Sequence, residues 1–252
     1  MIQAYLFDFH QTLIQSPAWM ALEVRTLPRA AFSLMARKRI IPILDEPQLA
    51  KAEDSFRASR HAAETTGYET SHVEDLTAMV AALELQRLVS HQTIEETVAT
   101  LHRRCVETAK MIDDAAQALQ DLRESSYRLG IISNAAYSRF LTWTLDHFKL
   151  LEFFEVVVVS ADVGTRKPWP QIFHIALERM GLPPTHVAYV GDDYRKDIVA
   201  SKRVGMRAIW FQPDGNPDPS DQEITPDALV TSLDQIPAQA ERWRKMEARV
   251  GS

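Results

Sequence analysis

The sequence is poor in cysteine and has no long apolar run. Cys105 is the single cysteine among 252 residues, so no disulfide can form within the chain and nothing indicates an oxidising compartment. No apolar stretch approaches the roughly 20 residues needed to cross a bilayer. The first residues, with Asp8 and His10, resemble a strand rather than a secretory signal. We therefore expect a soluble, cytoplasmic protein with no membrane partner.

The sequence also lacks an excess of basic residues. Lys and Arg number 28 against 34 Asp and Glu, which gives a formal net charge of −6. Two short basic clusters, at residues 37–39 and 103–104, are more typical of solvated helix surfaces than of binding patches. This balance disfavours nucleic acid as a partner. The hydrophobic content of 46% is sufficient for a buried core.

Glycine is scarce and unevenly distributed. Gly67 is the only one of the eight glycines that precedes Gly130, so turn signals concentrate in the second half of the chain. Between residues 16 and 114 apolar residues recur at helical spacing, for example over residues 73–83 and 93–110. This pattern predicts a helical bundle.

The flanking parts predict β-strands that alternate with helices. Short apolar, β-rich segments occupy residues 2–9, 128–133, 156–160, 187–190 and 207–211. Helical segments at residues 138–147, 170–180 and 196–204 separate the last four of them. A last strand at residues 229–230 and an amphipathic helix around Trp243 follow a predicted surface loop at residues 212–225.

This alternation predicts an α/β fold, with a doubly wound parallel-sheet (Rossmann-like) core. Because the first strand belongs with the second half of the chain, the core is expected to comprise residues 1–15 and 115–252. The helical region, residues 16–114, is then an α-helical cap domain inserted after the first strand. We find no internal repeat or low-complexity tract.

Polar residues gather where the predicted strands end, which is where open α/β sheets bind ligands. They follow four different strands: Asp8, His10 and Thr12; Ser133 and Asn134; Lys167; and Asp192, Asp193 and Asp197. An Asp at a strand end is often only a helix N-cap, and Asp193 suits that role for the helix that carries Asp197. A serine before an asparagine is likewise common in turns. The order and placement of all four groups favour a shared site over four separate structural roles.

Carboxylates at this edge suit a magnesium site. Asp8, Asp192 and Asp197 are the oxygen ligands that Mg²⁺ prefers, together with water and substrate phosphate. Such an ion neutralises phosphate charge and holds phosphorus in line with a carboxylate nucleophile, for which Asp8 is the candidate. Ser133 and Lys167 are then placed to contact the other phosphoryl oxygens.

These four groups resemble the motifs of the haloacid dehalogenase-like hydrolases, in a form with a helical cap inserted after the first motif. The first motif matches Asp8 to Thr12, the second Ser133-Asn134, the third Lys167-Pro168, and the fourth Gly191-Asp192-Asp193 with Asp197. The likeness covers most of the core and little of the cap.

The resemblance implies attack by Asp8 on phosphorus, an aspartyl-phosphate intermediate and its hydrolysis by water. It implies phosphate binding by Thr12, Ser133, Asn134 and Lys167. It also implies that Mg²⁺ is held by Asp8, the backbone carbonyl of His10 and Asp192, and that Asp193 or Asp197 supports this metal site through a contact with its ligands or through a water. The habit of the family is that a long cap closes over a small, soluble phosphorylated substrate. The sequence leaves the oligomeric state open.

The chain departs from the family pattern at His10, where phosphatases of the family usually carry a second Asp that transfers protons. General acid–base catalysis contributes about 10²–10⁴-fold in rate, so its loss gives a slow enzyme unless the leaving group is good. An imidazole, with an unperturbed pKa of about 6.5, is able to take over this role. Gln11 replaces the common glycine of the same turn, so that turn must accommodate a side chain.

The change at His10 leaves alternatives open. One is a pseudoenzyme that binds a phosphorylated ligand or partner without turnover. Another is cleavage of a carbon–phosphorus bond, as in phosphonoacetaldehyde hydrolases, which lack the second Asp and use a cap lysine; Lys38 and Lys51 are candidates without specific support. Carbon–halogen cleavage is disfavoured, because dehalogenases of the family do not need the acidic fourth motif that this chain retains.

Overall fold

A computed structural model describes residues 1–213 and 224–250 of the chain. Most of the predicted loop at residues 212–225 lies outside these residues. The contacts divide the chain into two compact units. The sheet unit comprises Met1–Gln15, Lys110–Asn134 and Phe148–Ser252, and the helical unit comprises Ser16–Ala109 and Ala135–His147.

Among the described residues, eight short strands form two sheets within the sheet unit. The strands are β1 (Ala4–Phe7), β2 (Ile14–Gln15), β3 (Lys110–Met111), β4 (Arg128–Ser133), β5 (Val156–Val159), β6 (Val187–Gly191), β7 (Arg207–Phe211) and β8 (Ala228–Val230). The main sheet has the order β5-β4-β1-β6-β7-β8, and all its neighbouring strands are parallel. The pair β2–β3 is antiparallel and was not predicted from the sequence.

The α-helices are α1 (Pro17–Ala21), α2 (Leu27–Arg37), α3 (Glu46–Thr66), α4 (His72–Ala82), α5 (His91–Glu107), α6 (Ala115–Glu124), α7 (Ser138–His147), α8 (Ser160–Val163), α9 (Pro170–Met180), α10 (Ala200–Val204) and α11 (Gln235–Val250). Two π-helical segments precede α2 and α10, at Leu22–Thr26 and Tyr194–Val199. Short 3₁₀ turns occur at Leu151–Phe153 and Pro184–His186.

The main sheet confirms the predicted doubly wound topology. Successive strands run outward from β1 to β5 on one side, and the chain then returns to place β6 on the other side of β1. The central strands β1 and β6 are buried along their whole length, as expected for a parallel sheet that helices cover. Ile172 and Phe173 of α9, for example, are fully buried in one cluster with Leu6 and Val158 of the strands.

The helical unit owes its elements to local capping signals and to apolar stripes. Asp45 and Ser71 form capping boxes at the starts of α3 and α4. Each side chain accepts a backbone N–H of the first turn, and the side chain of Gln48 or Glu74 accepts the backbone N–H of the cap residue. Gly67 ends α3 in the left-handed conformation, with φ of 79°, which a glycine adopts without a Cβ clash.

Helix α7 differs from the sequence-based division. The sequence-based division placed residues 138–147 in the α/β core, but in the structure these residues group with the helical unit. The reason is aromatic packing, since Phe140 stacks on Trp19 at a centroid distance of 5.0 Å and Trp143 receives the guanidinium of Arg103 at 4.3 Å. In the described part of the chain, no helix is both long enough and apolar enough to span a bilayer.

Candidate active site

The sheet brings the predicted site residues to the point where its strand order reverses. β1 lies between β4 and β6, and the chain leaves β1 on one side and returns on the other. Asp8 directly follows β1 and Asp192 directly follows β6, while Ser133 is the last residue of β4. The backbone N–H of Asp8 donates to the carbonyl of Val190 at 2.8 Å, which fixes the end of β1 against β6. Ligands of open α/β sheets bind at such a switch point.

Three carboxylates meet at this edge. One oxygen from each of Asp8, Asp192 and Asp197 lies within 4.8 Å of the others. The side chains of Asp8 and Asp197 are 13% and 1% exposed, so water screens their charges only weakly. The hydroxyl of Thr12, which is buried, donates to Oδ1 of Asp192 at 3.3 Å.

Lys167 reaches this cluster from the loop before α9. Its Nζ donates to Oδ1 of Asp8 at 2.6 Å, to Oδ1 of Asp197 at 2.7 Å and to the hydroxyl of Tyr189 at 2.9 Å. Burial works against the ammonium, but the charges of Asp197 and Asp8 outweigh it and hold the pKa of Lys167 well above its usual value. Lys167 therefore carries its positive charge at any physiological pH.

Asn134 positions the loop that carries Lys167. Its amide Nδ2 donates to the backbone carbonyl of Lys167 at 2.9 Å, and its Oδ1 accepts the backbone N–H of Lys167 at 2.8 Å. Sequence reasoning had given Asn134 only a phosphate-binding role. Ser133, directly before it, is 1% exposed and lies at the end of β4.

Asp193 and Asp197 have different roles, although both follow β6. Oδ1 of Asp193 accepts the backbone N–H groups of Arg195 and Lys196 at 3.0 and 2.8 Å, which is the N-cap role that the sequence also allowed. Burial raises the pKa of Asp193, but its bonds and charge contact with Lys196 outweigh burial and lower the pKa. The three-carboxylate group comprises Asp8, Asp192 and Asp197, without Asp193.

Gly191 provides the space that Asp197 needs. A Cβ on Gly191 would lie 2.4 Å from Cγ of Asp197, which is closer than non-bonded carbon atoms approach. Oδ2 of Asp197, the oxygen that does not contact Lys167, accepts the backbone N–H of Asp193 at 3.0 Å. The glycine of the fourth motif is thus explained by close approach of a side chain and not by a special backbone angle.

The turn after Asp8 holds the residues that depart from the family pattern. His10 is partly buried and pairs with Ile14 in an isolated β-bridge. Gln11 has φ of 63°, in the left-handed region that a glycine adopts most easily, and its N–H donates to the carbonyl of Ile14 at 2.7 Å. The turn therefore keeps the conformation typical of glycine while carrying a longer side chain.

The charges of the cluster fit a divalent cation. Burial, then the charges of Asp8 and Asp197, raise the pKa of Asp192 to about 8. Burial also raises the pKa of Asp197 to about 7, against the attraction of Lys167. One ammonium thus does not balance three carboxylates. All-oxygen donors with a deficit of positive charge are suited to Mg²⁺, and Asp8, Asp192 and Asp197 are the residues that could hold it.

Sequence reasoning missed Tyr189 as part of this site. Its hydroxyl donates to the carbonyl of Ile132 at 3.1 Å while it accepts from Lys167, and the ring is fully buried. The available signal was a hydroxyl-bearing residue within the apolar strand β6, because a buried tyrosine usually finds a polar partner. The proposed cap lysines, Lys38 and Lys51, are both exposed.

Comparison with known proteins agrees with this architecture. The sequence profile of the family described as haloacid dehalogenase-like hydrolase matches residues 5–211. A glyceraldehyde 3-phosphate phosphatase of Methanothermobacter thermautotrophicus is 28% identical over 212 residues, which cover 83% of this chain and 85% of that protein. Haloacid dehalogenase-like hydrolase domain-containing protein 3 of Danio rerio is 35% identical over 133 residues, or about half of each protein (52% and 53%).

Among solved structures, a 2-haloacid dehalogenase from Pseudomonas syringae pv. Tomato superposes with a TM-score of 0.75 at 23% identity. The superposition covers 96% of this chain and all of that one, and at this identity it supports the fold alone. The profile match spans most of the chain, from β1 to the end of β7, and so includes all four groups of site residues. The chain therefore belongs to the haloacid dehalogenase-like hydrolase family.

Proposed function

We propose that the chain is a Mg²⁺-dependent phosphatase that acts on a small phosphorylated molecule with Asp8 as the nucleophile. The observation that carries the proposal is the buried contact of one ammonium, Lys167, with both Asp8 and Asp197 beside Asp192. This arrangement places an ammonium against the carboxylate at the end of β1 and surrounds that carboxylate with groups that attract a phosphoryl group. A cytoplasmic location, with no nucleic-acid or membrane partner, is part of the proposal.

The chemistry follows from the position of each group. A carboxylate oxygen of Asp8 attacks phosphorus and forms an aspartyl-phosphate, which water then hydrolyses. Lys167 stabilises the charge on the transferring phosphoryl oxygens, and the hydroxyl of Ser133 donates to them. Thr12 keeps Asp192 in place, and Asn134 holds the backbone of Lys167. Mg²⁺, when bound by Asp8, the carbonyl of His10 and Asp192, supplies charge neutralisation at the phosphate.

His10 has the acid–base role in this proposal. It lies two residues after Asp8, in the turn that follows β1. A neutral-to-charged transition near physiological pH allows an imidazole to protonate the leaving oxygen and then to take a proton from water. The phosphatase name of the archaeal relative supports a phosphate ester as substrate. The retained acidic group after β6 favours a metal-dependent phosphate reaction over carbon–halogen cleavage.

The test is phosphate release from a panel of phosphate esters, with and without Mg²⁺. Wild-type protein is compared with Asp8→Asn and with Asp146→Asn, which changes an exposed Asp of the helical unit. We expect release that needs Mg²⁺, survives Asp146→Asn and is lost in Asp8→Asn by at least about 10³-fold, because the nucleophile is absent.

Release that persists in Asp8→Asn or without metal would contradict the proposal. No release from any ester, together with tight binding of a phosphorylated ligand, would instead support the pseudoenzyme alternative. Activity on phosphonoacetaldehyde that depends on Lys38 or Lys51 would support carbon–phosphorus cleavage.

A further inference from the structure

A second group of potential metal ligands lies inside the helical unit. It comprises Glu23 of the π-helical segment before α2, His72 at the start of α4 and His102 in α5. One ligand atom from each lies within 4.8 Å of the others. Both histidines are fully buried, and the side chain of Glu23 is 12% exposed. None of these residues belongs to the candidate active site.

The hydrogen bonds of the two histidines leave one nitrogen without a partner. Nδ1 of His102 lies 2.9 Å from the carbonyl of Val98, so it carries the proton and Nε2 of His102 is the acceptor. That Nε2 lies 3.2 Å from Nδ1 of His72, which is then the donor. In a neutral ring, Nε2 of His72 consequently has only a lone pair. This atom is buried and has no hydrogen-bond partner.

The unpartnered nitrogen faces a carboxylate. Nε2 of His72 lies 3.9 Å from Oε1 of Glu23, which places a lone pair opposite a negative oxygen. If the proton of His72 instead lay on Nε2, it would face Glu23, but Nδ1 of His72 and Nε2 of His102 would then present two lone pairs to each other at 3.2 Å. A metal ion bound by these two nitrogens satisfies both lone pairs and leaves the proton of His72 opposite Glu23.

The spacing and support of the ligands also fit a metal ion. Two nitrogens about 2.0–2.1 Å from one zinc ion at a tetrahedral angle lie about 3.3 Å apart, close to the separation of Nδ1 of His72 and Nε2 of His102. The bond from Nδ1 of His102 to Val98 is the backbone contact that typically orients a metal-bound histidine. The backbone N–H of Ala136 holds the carboxylate of Glu23, at 3.1 and 3.3 Å from its two oxygens.

We propose that Glu23, His72 and His102 form a divalent-cation site of the zinc type within the helical unit. Nδ1 of His72, Nε2 of His102 and an oxygen of Glu23 are the ligands, and water takes the remaining position. The proton of His72 moves from Nδ1 to Nε2, where it faces Glu23, so the ring stays neutral and no proton is lost. The site is distinct in chemistry from the all-oxygen group at Asp8, which suits Mg²⁺.

The test uses the full chain without an affinity tag, treated with a chelator and carrying Asp192→Asn to weaken metal binding at the candidate active site. Cobalt(II) is titrated in and followed by visible absorption, because four-coordinate nitrogen-containing sites absorb far more strongly than six-coordinate oxygen sites. Zinc affinity is then measured by competition with a chromogenic chelator. We expect one cobalt per chain with an intense visible band that zinc removes.

The variants are His102→Gln and Glu23→Gln, with His91→Gln as the matched control because His91 is exposed on the same helix. Glu23→Gln keeps an oxygen that accepts the N–H of Ala136, so it tests the charge if His102→Gln does not fold. We expect both ligand variants to bind zinc at least tenfold more weakly, and His91→Gln to bind it normally. The absence of a cobalt band in the parent protein would overturn the proposal. Equal zinc affinity in the folded ligand variants and in the control would also overturn it. In either case His72 and His102 would be only a hydrogen-bonded pair.

Discussion

Lys167 shows how a single side chain organises the candidate active site. Its ammonium has three oxygen partners, and two of them are carboxylates that would otherwise repel each other. A buried ammonium without such partners would lose its proton, so the carboxylates of Asp8 and Asp197 keep Lys167 charged. The third partner, the hydroxyl of Tyr189, is neutral, so it helps to orient the ammonium of Lys167 without adding charge.

Tyr189→Phe is expected to disturb Lys167 without removing any charge. The variant loses the bonds of the hydroxyl to Lys167 and to the carbonyl of Ile132, which should lower the free energy of unfolding by about 1–3 kcal/mol. The loss of one of the three partners of Lys167 should lower kcat by about tenfold. KM should change little, because Lys167 acts on the transition state in the proposed reaction. Steady-state kinetics and urea unfolding measure both effects.

Tyr194→Phe is the matched control for this variant. The hydroxyl of Tyr194 also lies in the sheet unit and bonds to the backbone of Ile224, but it has no contact with Lys167 among the hydrogen bonds of the described residues. A similar loss of stability with unchanged kcat is expected. Equal kinetics in both variants would mean that Tyr189 only fills space.

In the proposed reaction we expect His10 to affect the rate of proton transfer and not the attack of Asp8 on phosphorus. His10→Ala should lower kcat on esters with poor leaving groups by about 10²-fold or more, and much less on aryl phosphates, whose leaving oxygen needs no proton. His10→Asp, which places the usual acid of the family at this position, should recover activity on poor leaving groups. Rates measured across pH for a series of esters test this; an unchanged rate and pH profile in His10→Ala would exclude the acid–base role.

At the scale of elements, helices α3 and α4 are joined by a buried polar network. Arg60 of α3 pairs with Glu69 at 2.8 Å and with Asp75 of α4 at 3.2 Å. Oδ1 of Asp75 also accepts the hydroxyls of Ser59 and Thr70, at 2.5 and 3.1 Å. Burial raises the pKa of Asp75 to about 6, although Arg60 and the two hydroxyls lower it. The junction of these helices therefore contains a titrating group.

The sign of the pH effect follows from the raised pKa. Between about pH 4 and pH 6 the folded protein holds a proton on Asp75 that the unfolded chain has released, so this group stabilises at low pH and its contribution is lost as pH rises through about 6. Asp75→Asn cannot titrate. Between about pH 4 and pH 7 we expect wild type to lose about 2–3 kcal/mol of unfolding free energy relative to Asp75→Asn.

Denaturant unfolding at several pH values measures this difference, with Asp54→Asn as the control because that Asp is an exposed residue of α3. The control should retain the pH slope of wild type. Parallel slopes for Asp75→Asn and wild type would show that Asp75 titrates normally.

The elements themselves were largely predictable from the sequence, because their signals are local. The strands at residues 128–133 and 207–211 and the helices at residues 138–147 and 170–180 have the predicted bounds. The helix predicted to begin at residue 196 instead begins at Tyr194, in a π-helical segment that Asp193 caps. The pair β2–β3 was missed because two-residue strands carry no readable period.

At the scale of the whole molecule, the order of the strands could be predicted but many contacts could not. The rule that ligands bind at a switch point correctly predicted that Asp8 and Asp192 lie close together. No local pattern indicates that Tyr189 contacts Lys167, or that Glu23 and His102, far apart in sequence, meet His72. Likewise, the packing of α7 on Trp19 depends on which face of the helix finds an apolar partner. Such contacts arise from tertiary packing.

We expect the three-carboxylate group to make the stability of the protein depend on both pH and Mg²⁺. Because the pKa values of Asp192 and Asp197 are raised to about 8 and 7, these groups stabilise the metal-free protein at low pH, and that contribution is lost as pH rises through those values. A divalent cation favours the ionised carboxylates and competes with their protons. Mg²⁺ should therefore bind more tightly and stabilise the protein more as pH rises.

Thermal unfolding with and without MgCl₂, at about pH 6 and about pH 8.5, tests this linkage. With Mg²⁺ at about 100 times its dissociation constant, the gain of about 2.7 kcal/mol corresponds to an increase in Tm of roughly 5–10 °C, and the gain should be smaller at the lower pH. Asp192→Asn should lose most of the increase, whereas Asp146→Asn should keep it. NaCl at equal ionic strength should give no such increase in Tm, because it screens exposed charges without occupying a site for a divalent cation. An increase in Tm that is equal at both pH values, or that persists in Asp192→Asn, would place Mg²⁺ outside the three-carboxylate group.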